Sequence, residues 1–417
     1  MRFKKRIIAL ASIVLIAVFL IPKLNIAKDS IDDIIVSIRV FIETVYYVRN
    51  AYIEKNLDNK KLEYEAIRGY LKALDDPYTE FFDPQGFKTF TEDMQGSFGG
   101  VGMRLESKDG KILVVAPIDG TPAYKAGVKP GDQIVEVDGQ NVVNKPLDQV
   151  VSMIRGEVGK EVKIKIYRES EKKYYEFVLK RELIEVPVVE YKVLGNNIGY
   201  IRFYEFTQNS PQKLADAFKA LENKVKGVIL DLRNNPGGDL RSAVTIASFF
   251  ISENDQVKTT IKDNNTSKTF DTKGIIVYRQ DREKRLYGEK VVKGTYKWNK
   301  PLIVLVNRYS ASASEILSGA INDYNKAILV GEKTFGKGVV QTIFTLSDGS
   351  AVKITTEKYL LPSGRDINKE GIIPDVLVEM APENVGKDND VQLNKAIEIL
   401  KKNISLLKDK TKLVLRK

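Results

Sequence analysis

The sequence predicts a multidomain α/β protein, with a helical region at each end, a small β-rich domain and a larger α/β core. Its 417 residues, 43% hydrophobic and 29% charged, suffice for two or three domains with separate cores. Short strands and glycine turns fill the second quarter of the chain, and strands alternate with helices beyond it. The predicted domains are residues 1–27, 28–95, 96–182, 183–380 and 381–417.

The first 27 residues have the pattern of a membrane-targeting segment. Four basic residues within the first six precede an apolar run over residues 7–21. Cations before an apolar segment orient the remainder of a chain away from the cytoplasm. As a helix the run would span about 22 Å, against about 30 Å for a bilayer core. No A-x-A cleavage site follows, so we expect an uncleaved anchor; a cleaved signal and a secreted protein are the alternative.

Residues 28–95 are predicted to be mainly helical. From Ile31 to Val45 apolar residues recur at i, i+3 and i+4, as on an amphipathic face. A second helix is expected from about Leu62 to Leu74, ending at the turn signal Asp75-Asp76-Pro77. Two helices bury little by themselves, so we expect them to pack on the body of the protein or on a second copy. A charged helical segment at 389–408 carries a similar apolar stripe.

Residues 183–380 show the alternation of a largely parallel sheet with crossover helices. The predicted strands are Val228–Leu232, Ile303–Val306 and Ala327–Val330, and the predicted helices are Leu240–Phe250 and Glu315–Asn325. The stretch 252–300 is less regular and supports no specific prediction.

The composition excludes several classes of site. The chain contains no Cys and no His, which rules out disulfides, cysteine nucleophiles, zinc-thiolate sites and a Ser-His-Asp hydrolase. A hydrolytic base must therefore come from Lys, Asp, Glu or Tyr. The net charge of +11 is spread among acidic residues without an aromatic-interleaved basic stripe, so nucleic-acid binding is not expected.

Two segments share one design, a buried strand followed by a small-residue turn and a helix. They are D-L-R-N-N-P-G-G at 231–238 and S-A-S-A-S at 310–314. In open α/β sheets ligands gather at the carboxyl ends of strands, where both turns lie. Paired amides at helix starts could form an oxyanion hole, and small residues would leave a serine nucleophile exposed. A simple helix cap is the alternative interpretation of the serines.

A glycine-rich loop around Lys337 follows the strand Ala327–Val330. Lysine acts as a base only when its ammonium is destabilised, and burial in a cleft does this. An exposed loop lysine is the alternative, in a chain with 66 basic residues.

Residues 97–181 resemble a PDZ domain, on the run T-P-A-x-x-A-G-V-K-P-G-D-x-I-x-x-V-D-G at 121–139. PDZ domains bind an extended peptide at a sheet edge and hold its carboxylate in a nest of backbone amides. By this resemblance the carboxylate loop is Phe98, Gly99, Gly100, Val101 and Gly102. The alternative is a glycine turn that merely opens a strand.

Four motifs in order resemble the carboxy-terminal processing peptidases, the tail-specific serine protease family. Beside the two turns they are G-x-x-T-F-G-K-G-x-V-Q at 331–341 and L-P-S-G-R-x-I-x-x-x-G-I-x-P-D at 361–375. The resemblance implies a protease core of crotonase-like ββα character with a PDZ domain inserted ahead of it. It assigns Ser312 as nucleophile, Lys337 as general base and Gln341, taken to lie one helical turn later, as the residue that positions the amine. Amides of Ala313 and of Gly237 or Gly238 form the oxyanion hole.

The resemblance further implies an endopeptidase that recognises protein and peptide C-termini, without metal or cofactor. We expect a homodimer, tethered by its N-terminal segment to the extracytoplasmic face of a bacterial cell membrane. Two other functions remain open. One is a catalytically inactive PDZ adaptor on a protease scaffold, which would lack the nucleophile or the base. The other is a crotonase-like acyl-transfer enzyme, which would need neither a PDZ domain nor a serine nucleophile.

Overall fold

A computed structural model describes residues 28–185, 187–263, 266–381 and 384–414. The chain divides into two compact units, Met1–Tyr70 and Leu71–Lys417. The predicted membrane segment, residues 1–27, lies outside the described residues. Within the described ranges, no helix combines the length and apolar character that a membrane crossing requires.

The described part of the first unit, from residue 28 onward, contains two helices, as the apolar spacing predicts. They are α1, Lys28–Ala51, and α2, Asn59–Lys72, the last two residues of which belong to the second unit. Phe41 and Tyr47 on α1 are 53% and 65% exposed. Helix α2 ends two residues before the predicted Leu74, because the amides of Leu74 and Asp75 form a turn with the carbonyls of Leu71 and Lys72.

A short strand and a helix come next in the chain, β1 (Glu80–Phe82) and α3 (Pro84–Gln95). The Asp83 carboxylate caps α3 by accepting the Gly86 amide at 2.8 Å, and Pro84 occupies the first turn, where a missing N–H costs nothing. The helix ends at Gly96, whose φ of 76° a side chain would strain.

The β-rich region forms a small domain with its own core. Its elements are β2 (Ser97–Gly100), β3 (Met103–Lys108), β4 (Lys111–Pro117), α4 (Pro122–Lys125), β5 (Gln133–Val137), β6 (Gln140–Asn141), α5 (Leu147–Ile154), β7 (Glu161–Arg168), β8 (Lys173–Lys180) and β9 (Glu182–Glu185). The sheet order is β3-β4-β5-β7-β8, with β6 beside β5. Ile112, Ile134 and Ile164 are among the buried apolar residues. Strands β2 and β9 pair antiparallel, so the chain enters and leaves this domain side by side.

A six-stranded sheet forms the centre of the larger domain. Its strands are β10 (Val189–Leu194), β11 (Ile198–Phe203), β12 (Gly227–Asp231), β17 (Leu302–Val306), β18 (Ile328–Gly331) and β21 (Val376–Leu377), in the order β10-β11-β12-β17-β18-β21. All neighbours except β10 and β11 run parallel, as predicted.

Helices cover both faces of this sheet. They are α6 (Ser210–Glu222), α7 (Leu240–Ala247), α8 (Ala313–Asp323) and α9 (Val391–Val414). Val304 packs in one core with residues of α6, α7 and α8. Its neighbours Ile303 and Leu305 face the other way, against Ala396 and Leu400 of α9. Burial on both faces explains why these strands read as continuous apolar runs.

An ion-pair network connects α9 to the end of β12. The Arg233 guanidinium, fully buried, donates to the carboxylates of Asp231 and Asp390 at 2.6–3.0 Å. Burial would raise the pKa of the Asp231 carboxyl, but the bonds and charge of Arg233 hold it below its ordinary value. Asp390 also accepts the Leu393 amide at the start of α9. The network therefore docks the C-terminal helix beside the D-L-R-N-N-P-G-G turn.

The irregular stretch 252–300 is mostly β-structure. It contains the hairpin β13 (Gln256–Asp263) and β14 (Thr266–Lys273), then β15 (Ile275–Gln280) and β16 (Leu286–Lys290). Strands β19 (Val339–Thr345) and β20 (Ala351–Leu360) complete an antiparallel sheet in which β20 pairs with β1, β15 and β19. Polar residues inside the hairpin obscure its apolar alternation: Thr259 is buried and donates to the Pro362 carbonyl.

Candidate active site

The two small-residue turns lie side by side at the carboxyl ends of neighbouring parallel strands. Asp231 of β12 is in register with Leu305 of β17. Between the turns, the Asn307 side chain accepts the Asn234 amide at 2.9 Å and donates to the Asn234 side chain at 2.7 Å. The Ala311 amide donates to the Asn235 carbonyl at 3.1 Å. The two turns of the same design therefore form one surface.

Ser312 occupies a strained turn immediately before α8. Its φ of 55° and ψ of −115° lie in a region that residues with a side chain rarely adopt. Sharp strand-to-helix turns of this kind present a nucleophile's side chain to substrate. Gly237 lies directly against it: a Cβ at that position would be 2.8 Å from the Ser312 Cβ. Only glycine fits there.

In the part of the chain that the structure describes, one backbone amide in each of the two turns has no hydrogen-bond acceptor and could bind an anion. Within the described residues, the amides of Ala313 and Gly238 donate no hydrogen bond. The Gly237 amide, by contrast, donates to the Asn235 side chain at 2.9 Å. Of the two glycines that the sequence left as alternatives, Gly238 therefore has the free donor. Ala313 begins α8, where the helix dipole favours negative charge.

Lys337 lies in the loop between β18 and β19 and is half-buried. Its ammonium is 4.6 Å from the centroid of the Tyr78 ring. Among the residues that the structure describes, Lys337 Nζ and Ser312 Oγ share no hydrogen bond. Burial and the nearby Lys353 ammonium hold the pKa of Lys337 below its ordinary value, although the carboxylates of Asp76 and Glu315 favour its charged form. A depressed pKa is what a lysine base requires.

Glu315 joins the serine turn to the lysine loop, a role that no sequence motif predicts. Its buried carboxylate accepts the amides of Ser312 and Lys337, both at 2.9 Å, through Oε2. Oε1 accepts the Thr334 hydroxyl at 2.5 Å and the Gly336 amide at 2.7 Å. Burial raises the pKa of Glu315, while these hydrogen bonds lower it in part. One side chain thus fixes the distance between the two backbones.

Tyr359 of β20 makes the complementary contacts. Its hydroxyl contacts the carbonyls of the same two residues, Lys337 closely and Ser312 at 3.2 Å. Burial and the Glu315 charge raise the pKa of Tyr359 well above its ordinary value, so the hydroxyl remains a donor. Residues 359 and 312 are far apart in sequence, and no motif in the chain pairs them.

Gln341 lies on a strand, so its predicted position one helical turn after Lys337 is wrong. The glycine loop leads directly into β19, where a backbone irregularity falls between Val340 and Gln341. The Gln341 side-chain amide donates to the Thr355 hydroxyl of β20 at 3.2 Å. Four residues along a strand cover more than twice the rise of a helical turn, so sequence spacing gives no reason for these two side chains to meet.

The predicted carboxylate loop, Phe98 to Gly102, is partly strand. Phe98, Gly99 and Gly100 pair with β9, whereas the amides of Val101 and Gly102 make no hydrogen bond within the described residues. The Arg155 guanidinium lies 3.9 Å from the Phe98 ring centroid and pairs with Asp93 at 2.7 Å.

A cavity of about 290 Å³ adjoins Phe98. It is lined also by Asp93 and Glu205, and burial raises the pKa of Glu205. The Asp93 carboxylate in this lining is the one paired with the Arg155 guanidinium.

These features define a class of protein: a serine-type hydrolase with an α/β core and a small β-rich domain ahead of that core. Family models agree with this class. Residues 197–378 match the model described as peptidase family S41, and residues 113–168 match a PDZ domain.

The curated relatives narrow the class to one family. The chain is 38% identical over 334 residues to the "Carboxy-terminal processing protease CtpA" of Bacillus subtilis, covering 80% of this chain and 67% of that protein. It is 41% identical over 339 residues to a "Probable CtpA-like serine protease" of Staphylococcus aureus, covering 81% and 64%. The solved "Photosystem II D1 C-terminal processing protease" is 30% identical, covering 84% of this chain and 94% of that one (TM-score 0.47). The chain spans about two thirds of the length of the two curated relatives from Bacillus subtilis and Staphylococcus aureus. It belongs to the carboxy-terminal processing peptidases of family S41.

Proposed function

We propose that this protein is a serine endopeptidase in which Ser312 is the nucleophile and Lys337 the general base. The observation that carries the proposal is the pair of side chains, Glu315 and Tyr359, that binds the backbones of both residues. A lone serine at a helix start would need no such connection to a lysine 25 positions away. The depressed pKa of Lys337 supports the same assignment.

The proposed reaction uses the lysine twice. The neutral Lys337 amine takes the Ser312 proton, and the hydroxyl oxygen attacks the peptide carbonyl. The amides of Ala313 and Gly238 stabilise the negative oxygen of the tetrahedral intermediate. The lysine then gives its proton to the leaving amine, which produces an acyl-enzyme. Water, activated by the same amine, releases the product.

Gln341 has a supporting role in this proposal. Its side-chain amide donates to Thr355, which leaves its carbonyl oxygen as an acceptor for a lysine N–H. We infer that the lysine turns from the Tyr78 ring toward Ser312 and Gln341 when substrate binds.

The PDZ domain, we propose, binds the C-termini of substrate proteins and either delivers the chain to the active site or gates that site. The unpartnered amides of Val101 and Gly102 support a carboxylate at this loop. We expect a substrate with an amidated C-terminus to be cleaved more slowly than its free-acid form, because the amide carries no charge. Equal rates for the two forms would refute the carboxylate site.

We also propose a membrane-tethered homodimer on the extracytoplasmic face of the cell. The basic and apolar residues before position 28 support the tether. The exposed aromatic residues of α1 support a second copy as the partner of that helix. A full chain that is monomeric at micromolar concentration in detergent would refute the dimer.

The deciding experiment incubates the full-length protein, in detergent, with an unfolded model protein. We compare the wild type with Ser312→Ala and Lys337→Ala, and use Lys333→Ala as a matched control, because Lys333 is an exposed lysine of the same loop. The wild type and the control should cleave, and the other two variants should lose activity by about 10⁴-fold or more. Cleavage by either of those two would disprove the dyad. Peptide binding without cleavage by the wild type would instead favour the inactive adaptor.

A further inference from the structure

The lysine loop is covered by a short segment that no sequence motif assigned to the active site. Residues Asp76 to Thr79 precede β1, and the Tyr78 ring lies 4.6 Å from the Lys337 ammonium. Both side chains are half-buried. An aromatic ring face is negative, so it attracts an ammonium and favours the charged lysine over the neutral one.

The position of Tyr78 is fixed by the sheet that also carries the lysine loop. The Asp76 carboxylate accepts the Tyr78 amide at 3.0 Å and the Thr79 hydroxyl at 2.6 Å. The Thr79 hydroxyl in turn accepts the Thr355 amide of β20 at 3.2 Å. Thr355 is the residue that binds Gln341. These hydrogen bonds therefore fix the backbone of Tyr78 beside β20, so that its ring stays next to Lys337.

The charged groups around Lys337 oppose one another. From β20 the Lys353 ammonium disfavours its charge, as does burial. Asp76, on the covering segment, and Glu315, on α8, favour it. Burial would raise the pKa of Asp76, but bonds from Thr79, Thr355 and the Tyr78 amide hold it below its ordinary value. Asp76 is therefore ionised at neutral pH, and its charge, like the ring, favours the ammonium form of Lys337.

We propose that Tyr78 is a positioning residue that holds Lys337 as an ammonium, away from Ser312, in the resting enzyme. This inference rests on the proposed role of Lys337 as the base. To begin a reaction the lysine gives one proton to water and leaves the ring, and the neutral amine then takes the proton of Ser312. The ring thus sets how much of the enzyme carries a competent base at a given pH.

The test measures the lysine itself, without catalysis. In the full chain carrying Ser312→Ala, competitive labelling with acetic anhydride across pH, read by mass spectrometry, gives the pKa of Lys337. Tyr78→Phe keeps the ring and should leave the pKa of Lys337 unchanged. Tyr78→Leu should lower it, increasing the neutral fraction at fixed pH by about 2- to 30-fold. Tyr78→Trp, with a stronger ring interaction, should raise it.

The series separates ring attraction from simple cover. If the ring only shields the amine from water, Tyr78→Leu raises the pKa and Tyr78→Trp lowers it, and the proposal is overturned. An unchanged pKa in both variants also overturns it, and Tyr78→Trp decides alone should Tyr78→Leu not fold. In the enzyme with Ser312 restored, Tyr78→Leu should move the rising part of the pH–rate profile to lower pH with KM unchanged. Because labelling needs no activity, its result stands whether or not Lys337→Ala abolishes cleavage.

Discussion

Replacing Glu315 by glutamine tests whether one carboxylate holds the active site together. Each carboxylate oxygen accepts two hydrogen bonds, and glutamine converts one oxygen into an NH₂ group. The NH₂ group should turn toward Thr334, because that hydroxyl, which already accepts the Ile372 amide at 2.7 Å, has a second lone pair and can rotate to accept. The Gly336 amide then has no acceptor, while the amides of Ser312 and Lys337 keep one. A single orphaned, buried amide costs about 1–3 kcal/mol.

The assay is urea unfolding of the protease core in a Ser312→Ala background, which prevents self-cleavage. Glu315→Gln should lower the free energy of unfolding by about 1–3 kcal/mol. The matched control is Glu398→Gln, since Glu398 is exposed and pairs only with Lys395 in the described structure. It should change stability by less than about 0.5 kcal/mol.

Activity gives a second reading of the same change. With Ser312 restored, the neutral acceptor should hold the serine turn and the lysine loop less firmly, so kcat should fall by about 10- to 100-fold with little change in KM. If Glu315→Gln is as stable and as active as the parent, the carboxylate does not organise the site and the reasoning is wrong.

Three further predictions follow from individual contacts. Asp390→Ala should lower the free energy of unfolding in urea by about 3–5 kcal/mol, because it leaves the buried Arg233 guanidinium short of an acceptor; a loss below about 1 kcal/mol would contradict this. Gly237→Ala should abolish cleavage, since the added Cβ would overlap the nucleophile. The control Gly195→Ala, where the added Cβ would lie in open space, should cleave normally. An active Gly237→Ala variant would exclude the packing described. The cleavage rate should rise with pH, because the neutral amine is the base. It should level off below the ordinary lysine pKa of 10.5, since burial lowers the pKa of Lys337. A profile flat from about pH 6 to 10 would contradict the assignment.

The sequence predicts the core sheet because its strands are buried on both faces. Val304 and its neighbours point to opposite cores, so the strand appears as an unbroken apolar run. The hairpin at 256–273 could not be predicted in this way, since Thr259 and Thr272 are buried polar residues that satisfy each other and break the alternation. Its strands are specified by contacts with Pro362, more than a hundred residues later.

The site was predictable where function depends on residue type and local turn, and not where it depends on distant partners. Small residues around Ser312 and glycines around Lys337 are visible in the sequence. Glu315 is visible too, but its partners are backbone amides of a loop some twenty residues later, which carry no signature. Tyr359 lies after the lysine loop in the sequence and Tyr78 lies more than two hundred residues before it, yet both contact Lys337 in the fold. Helical spacing misled the placement of Gln341, because the glycine loop continues as a strand.

The antiparallel pair β2 and β9 has a consequence for protein engineering. Neighbouring strands lie about 4.8 Å apart. The segment between Gly100 and Glu182 therefore begins and ends at adjacent points of one strand pair. Both flanks remain anchored without it: β1 pairs with β20, and β10 with β11. We therefore expect a two-residue turn to replace the whole insert and yield a minimal core that still unfolds cooperatively. The same junction offers a grafting point for a foreign recognition module.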